Sequence, residues 1–205
     1  MIEAGTARMR QRLTLFAIVL VFAAPLLGAW LLYKFTDYGR GGTAASYGQL
    51  LQPARPLPDV ELYNPVAGAP SERLHGKWTL LTLSGPECAK QCVDNLYRMR
   101  QIRLATGENL HRVQRLLAVY GAEVEPFGAA LRNSYQGQLY VDGAALDPGD
   151  PGASMRLVPG EDPVSAGRLY LVDPLGNLMM SYGRDALPGG IIKDLKRLLR
   201  YSRIG

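Results

Sequence analysis

Residues 13 to 33 read LTLFAIVLVFAAPLLGAWLLY, 21 positions without a charge. A soluble domain has no surface for such a stretch, and at about 1.5 Å per helical residue it spans the roughly 30 Å hydrocarbon core of a bilayer. A buried core helix is the competing reading, but no polar face interrupts the run. A cleaved signal peptide has a shorter apolar region, typically about 7 to 15 residues, followed by small residues. This run ends instead in Trp30, Leu31, Leu32 and Tyr33. Pro25 is tolerated in lipid-spanning helices, and Trp30 and Tyr33 suit the outer interface. The expectation is a retained transmembrane anchor over 13–33.

Arg8, Arg10 and Arg12 precede the run against the single acid Glu3, while Lys34, Asp37 and Arg40 follow it with a weaker positive balance. The positive-inside rule therefore puts residues 1–12 in the cytoplasm and the rest of the chain outside. So short an N-terminus holds no Arg/Ser-rich amphipathic presequence, which favours a bacterial inner membrane with a periplasmic domain over a mitochondrial one. That compartment permits disulfides. The net charge of +5 does not imply nucleic acid, because 18 of the 23 cations are arginines scattered along the chain. The exception is a C-terminal segment with Lys193, Lys196, Arg197, Arg200 and Arg203, for which lipid headgroups or an acidic partner are the fitting counterparts.

Residues 34–56 are rich in Gly, Pro, Ser and Thr and read as a periplasmic linker, leaving 57–205 as the folded domain. LPDVELY alternates like an edge strand, closed by Pro65. KWTLLTLS (77–84) is short, β-rich and apolar in its middle, as a strand buried on both faces of a sheet should be. From Ala89, Val93, Leu96, Tyr97, Arg100 and Leu104 recur at helical spacing, and Gly107 ends the helix. RVQRLLAVYG (112–121) is the next strand and PFGAALRNSY (126–135) a short helix opened by Pro126. Residues 142–163 form a long Gly, Asp and Pro loop. GRLYLVD and NLMMSYG flank the turn PLG as a hairpin, and GGIIKDLKRLLRY (189–201) closes the chain as a helix packed through Ile191, Ile192, Leu195, Leu198 and Leu199. This order, strand, helix, strand, helix, hairpin, helix, is that of an α/β thioredoxin-like domain.

Both cysteines, Cys88 and Cys92, fall in LTLSGPECAKQCVDNL, where the central strand becomes a helix. In such a sheet, functional loops lie at the carboxyl ends of the strands. A thiol at the first turn faces unpaired N–H groups and the positive helix end, which favour thiolate; Lys90 assists and Glu87 opposes. Cys92, one turn deeper on the same side, is close enough for a disulfide. Two soft thiolates at this spacing could equally hold Cu(I), and the spacing does not separate the two chemistries.

The anchor, CAKQC as C-x3-C, and the late LYLVDPLGNLMMSYG followed by a closing helix resemble the Sco/SenC family of cytochrome oxidase assembly proteins, over roughly residues 57–201. The resemblance implies a thioredoxin-like fold, and either copper carriage or thiol–disulfide exchange directed at an oxidase subunit or another copper or thiol assembly factor. Two departures stand out. Val93 follows the second cysteine where the family has a proline-flanked motif. The family's copper-ligand histidine, counted back from Tyr170, falls on Ser165.

His75 precedes the cysteine strand and His111 follows the cysteine helix, each about 25 Å from the thiols by length of element, so neither replaces the missing ligand. Met155, in the long loop, is a softer candidate, whereas Met99, Met179 and Met180 are expected in the core. Three functions follow: thiol–disulfide exchange by Cys88 and Cys92 in haem–copper oxidase assembly, Cu(I) carriage by the same pair, or a scaffold that uses neither.

Overall fold

The computed structural model describes the backbone of residues 3–35, 46–66, 69 and 71–204, and within the first helix the side chains of 12, 15 and 17–31. Two compact units result, 1–45 and 46–205. In the first, the uncharged run lies in one helix, α1 (Glu3–Phe35), with Pro25 inside it. Its large described apolar side chains are exposed, Phe22 and Leu26 among them. Among the described residues no helix is long and apolar enough to cross a membrane. Asp37, Arg40 and the first half of the expected linker lie outside the described residues.

The second unit is built around β4 (Trp78–Ser84), buried at every position. It pairs in parallel with β5 (Val113–Val119) and antiparallel with β7 (Leu169–Val172). Three further strands, β1 (Gln49–Pro56), β6 (Leu139–Asp142) and β8 (Asn177–Tyr182), complete a six-stranded sheet in the order β1-β8-β7-β4-β5-β6. The hairpin expected at PLG is present, its turn fixed by the Asp173 carboxylate, which accepts from the N–H groups of Leu175 and Asn177 at 2.9 and 2.8 Å.

Successive side chains of a strand point to opposite faces, so β4 and β5 feed two cores. Leu80 and Leu117 meet α2 (Lys90–Leu104) and α5 (Pro188–Tyr201) on one face. Leu81, Leu83 and Leu116 meet Leu57, Leu74 and Met155 on the other. Leu80, Leu81, Leu116 and Leu117 are fully buried, each contributing about 1.5–3 kcal/mol relative to exposure. The continuous apolar run in β4 is thus the signature of a strand covered twice. Helices α2 and α3 (Val124–Leu131) make the crossovers that parallel strands require.

Several boundaries differ from expectation. The domain begins before residue 57: β1 occupies what reads as linker, pairing Gln49 with Ser181 and Pro56 with Asn177 across a bulge between Leu50 and Arg55. Pro53 and Pro56 are compatible with a strand because β1 lies at the sheet's edge. The alternation in LPDVELY gives only the two-residue β2 (Glu61–Leu62), paired with β3 (Glu72–Arg73). The start of the 142–163 loop holds a helical turn, α4 (Gly143–Leu146), capped by Asp142, which accepts from Ala144 N at 3.0 Å. Pro126 sits inside α3 rather than opening it, in the first turn where no N–H is missed.

Candidate functional site

The chain leaves β4 at Ser84, whose hydroxyl donates to Glu87 O at 3.1 Å and folds the next three residues back over the strand end. Ala89 is the N-cap of α2, with no side chain capping the helix and no acid in its first turn. The N–H groups of Lys90, Gln91 and Cys92 therefore have no carbonyl partner in the helix, and the positive end of the helix faces the cysteine loop. Cys88 lies one residue outside the helix, not in its first turn, while Cys92 is the third helical residue. The two are joined as a disulfide, Cα to Cα 5.2 Å, so the Cys88 sulfur is held at the first turn by its bond to Cys92. Their environments are unequal. Cys88 is half-buried, whereas Cys92 is only 6% exposed and packs in the core beneath α2.

Against this corner lies the segment 162–167. An added Cβ on Gly85 would sit 4.0 Å from the Val164 side chain, and one on Gly167 would come within 2.6 Å of Gln91, between the two cysteines. Gly167 has φ of +60°, a conformation that costs other residues strain, so glycine serves both the backbone and the close approach. Ser165, the residue at the third-ligand position, therefore lies in a loop that approaches Gly85 through Val164 and Gln91 of α2 through Gly167. Its hydroxyl and N–H donate to the Asp162 carboxylate, which is held below the usual carboxylate range mainly by that hydroxyl.

A buried polar stitch joins corner and loop. Asn95, 1% exposed and three residues after Cys92, donates from Nδ2 to Thr82 Oγ1 at 2.9 Å and to Gly167 O at 3.1 Å. Thr82 Oγ1 in turn donates to Arg168 O at 3.1 Å. Asn95 Oδ1 accepts from Gln91 Nε2 at 3.2 Å and Arg98 Nη1 at 3.3 Å. The sequence reading missed Asn95, though an amide on the buried stripe of α2 beside Leu96 and Met99 is a readable signal.

Along the first half of α2 a cleft of about 570 Å³ is lined by Lys90, Gln91, Val93, Tyr97 and Tyr135, among others. Arg98 lines it too; burial lowers its pKa against the opposing charges of Asp185 and Asp94, and its guanidinium donates to Arg184 O at 2.9 Å and to Ala186 O. The cleft mixes the apolar and aromatic surface of Val93, Tyr97 and Tyr135 with the charges of Lys90, Asp94, Arg184 and Asp185.

The remaining candidates do not converge here. His75 sits at the start of β4, the end opposite the cysteines, with ring Nε2 3.3 Å from Leu57 O. His111 is exposed in the turn before β5. Met155 is fully buried in the core on the other face of the sheet, away from Cys92. Among the described residues no three His, Cys, Asp or Glu side chains form a metal-holding group. The donors present do not fit a Cys2His copper site: they are two sulfurs, and here those are bonded to each other.

A family described as "Transmembrane-like, thioredoxin-like, C-terminal domain" matches residues 78–202, more than half of the chain. The chain belongs to this family. The thioredoxin-like domain also resembles solved structures. Yeast Sco1 with copper bound is 15% identical, with a TM-score of 0.54 over 73% of this chain and 95% of that one. A SCO1/SenC family lipoprotein from Bacillus anthracis is 17% identical, with a TM-score of 0.52 over 73% and 99%. A DsbF homologue from Corynebacterium diphtheriae is 12% identical, with a TM-score of 0.50 over 77% and 96%. At these identities the likeness shows a shared thioredoxin-like fold, with Sco/SenC proteins among its neighbours as the motifs imply. No curated protein matches the chain in sequence.

Proposed function

We propose that this protein is a membrane-anchored thiol–disulfide exchange protein of the bacterial periplasm, acting in the assembly of a haem–copper cytochrome oxidase. The observation that carries the chemistry is the unequal pair: a half-buried Cys88 and a buried Cys92 bonded across the uncapped N-terminus of α2. In the reduced protein, Cys88 attacks a partner disulfide as thiolate, and one partner sulfur leaves as thiolate and takes up a proton. Cys92, deprotonated, then attacks the Cys88 sulfur, releasing the second partner thiol and leaving the bonded pair seen here. Two electrons pass to the partner, and a thiol reductant must return them. The partner disulfide attributed to this pathway is that of the copper-site cysteines of an oxidase subunit, which an oxidising compartment would leave bonded. The anchor is supported by the uncharged run within α1 and its exposed apolar side chains.

A Cys92→Ser variant of the full chain, expressed in membranes, is expected to accumulate a covalent adduct through Cys88 that reductant releases. Absence of any adduct, together with normal oxidase levels in a Cys88→Ser/Cys92→Ser strain, would overturn the proposal and leave the scaffold reading.

Cu(I) carriage is the second reading, supported by the copper-bound state of the similar yeast Sco1 structure. Once reduced, this chain offers copper two sulfurs, enough for linear Cu(I) but a poor set for Cu(II), which prefers nitrogen and tetragonal geometry. Stoichiometric Cu(I) uptake by the reduced protein, lost on replacing either cysteine, would establish it.

A further inference from the structure

The closing helix has two unlike faces. Ile191, Leu195 and Leu199 are buried against the sheet, whereas Lys193, Lys196, Arg197, Arg200 and Arg203 are exposed. Between residues 188 and 204 the only acid is Asp194. Its carboxylate is turned inward, away from that face. It is 4% exposed and accepts from Tyr47 N at 2.8 Å, Gly48 N at 3.0 Å and Tyr182 OH at 3.2 Å. Arg112 adds cationic charge at the helix end, donating to Leu199 O at 2.9 Å, Ser202 O at 2.9 Å and Ile204 O at 3.0 Å, which holds the tail carrying Arg203 in place. Beside these cations Tyr201 is 75% and Ile204 50% exposed.

The same helix receives the chain as it enters the domain. Ser46 opens the second unit, and Tyr47 and Gly48 are tied to Asp194 at once, with Lys193 Nζ donating to Tyr47 OH at 3.2 Å. Ten residues, 36–45, separate this point from Phe35 at the end of α1. Fully extended, that spacer reaches at most about 40 Å. In an anchored chain that length is the limit on how far Ser46, and with it the start of α5, can stand from the end of α1.

We propose that the outer face of α5 docks on an anionic lipid surface, with cations meeting phosphate headgroups and Tyr201 and Ile204 entering the interface. This inference rests on the anchored reading above. Long Lys and Arg stems spread along one stripe suit a continuous charged plane, and aromatic and aliphatic neighbours suit the headgroup–acyl boundary. Docking would hold the domain at the membrane, where an oxidase subunit presents its sites, instead of letting it swing on its linker.

The test uses the full chain carrying Tyr201→Trp, reconstituted into lipid nanodiscs of phosphatidylcholine alone or mixed with phosphatidylglycerol, each with a brominated lipid as quencher. The parent chain supplies the background of Trp30 and Trp78. The introduced indole should be quenched in the anionic discs and little in the neutral ones. Quenching should disappear in about 0.5 M salt, where the Debye length falls to roughly 4 Å. Each cation at an anionic surface is worth about five-fold in binding, so Lys196→Glu/Arg200→Glu should lower the docked population more than ten-fold. Incorporation without anionic-specific quenching overturns the docking proposal and leaves the anchor standing. So does protection of α5 by an acidic oxidase subunit with no quenching by lipid. Failure of the chain to enter either disc overturns the anchor, and the docking proposal falls with it.

Discussion

The cysteine corner and the loop that lies against it, residues 162–167, share one end of the sheet but differ in what they carry. The corner holds reactive atoms in a simple frame: a strand end, an uncapped helix and two sulfurs. The loop holds no soft or nitrogen ligand, yet it is fixed with more care. Asp162 gathers Val164 and Ser165 beneath it, Gly167 presses on Gln91, and Asn95 reaches across from α2 to bind Gly167 O. A loop with nothing to contribute would not need an amide buried for its sake. The difference teaches that a segment with no ligand of its own is nevertheless fixed against the start of α2 by a buried polar contact.

The comparison breaks most readily at Asn95. Asn95→Leu removes the amide while leaving Thr82 and the Gly167 carbonyl buried, and a buried group left without its partner costs about 1–3 kcal/mol. The Thr82 hydroxyl keeps its bond to Arg168 O, so the Gly167 carbonyl is the group orphaned. We expect a loss of about 1–3 kcal/mol in urea unfolding of the oxidised protein, or a Tm lower by roughly 2–12 °C. The disulfide should also react faster with a small thiol as the loop lifts from Gln91. A stability within about 0.5 kcal/mol of the parent, the usual range for surface changes, would show that the loop is not stitched to the corner at all.

Gly167→Ala sharpens the same point with a smaller effect. A β-carbon there meets Gln91 Cγ at 2.6 Å and sits on a backbone with φ of +60°, a conformation that costs a non-glycine residue about 1–2 kcal/mol. Gln91 is flexible and can give way, so adding Gln91→Ala should recover the packing share of the loss but not the backbone share. Full recovery in the double variant would mean that the positive φ imposes no strain. No recovery would mean that the two segments do not touch.

How much of this was readable beforehand follows from what each element depends on. The β4, α2, hairpin and α5 segments follow local periodicity, and their apolar residues name their own faces, so those segments came from the chain alone. Cys88 nevertheless fell just outside its helix, and β6, between a segment read as helix and one read as loop, escaped the reading. β1 did not. Its Gly- and Pro-rich surroundings read as linker, and only pairing with β8, some 125 residues away in sequence, makes it a strand. Met155 was misplaced for a related reason: whether a loop methionine faces a sheet edge or a core depends on how the loop folds back. The stitch through Asn95 is a contact between residues 72 apart, a separation at which periodicity says nothing. Position 165 was placed by resemblance, and the bond from Asn95 to Gly167 O brings the end of its loop to α2.

That placement gives the next effect in size. Ser165→His puts an imidazole into the loop, and if it reaches the reduced sulfurs it completes a Cys2His set. One added ligand should raise Cu(II) affinity by more than ten-fold, the equivalent of about 1.4 kcal/mol, and binding should fall as pH drops through the imidazole pKa near 6.5. Copper binding no better than that of the parent, with the fold intact by circular dichroism, would show that the loop meets the corner without aiming residue 165 at it.

The smallest effect separates the loop's own fixing from everything the corner does. The Asp162 carboxyl is held below its ordinary value, chiefly by the Ser165 hydroxyl and then by the N–H groups of Ser165 and Val164. A carboxylate whose folded pKa is depressed stabilises the fold above its unfolded pKa of about 3.9, and that contribution is lost as pH falls through the lower folded value. Ser165→Ala removes the largest cause. The parent should therefore exceed the variant in stability at neutral pH, and the gap should close below about pH 4 as Asp162 takes up its proton in both proteins. Because Asp162 is exposed, the gap is expected to be small, and chemical denaturation at matched pH values is the measurement that resolves it. A gap that persists unchanged into acid would mean that the hydroxyl acts through packing and not through the carboxylate. The loop would then owe its shape to Asn95 and Gly167, and acid would leave its approach to Gln91 intact.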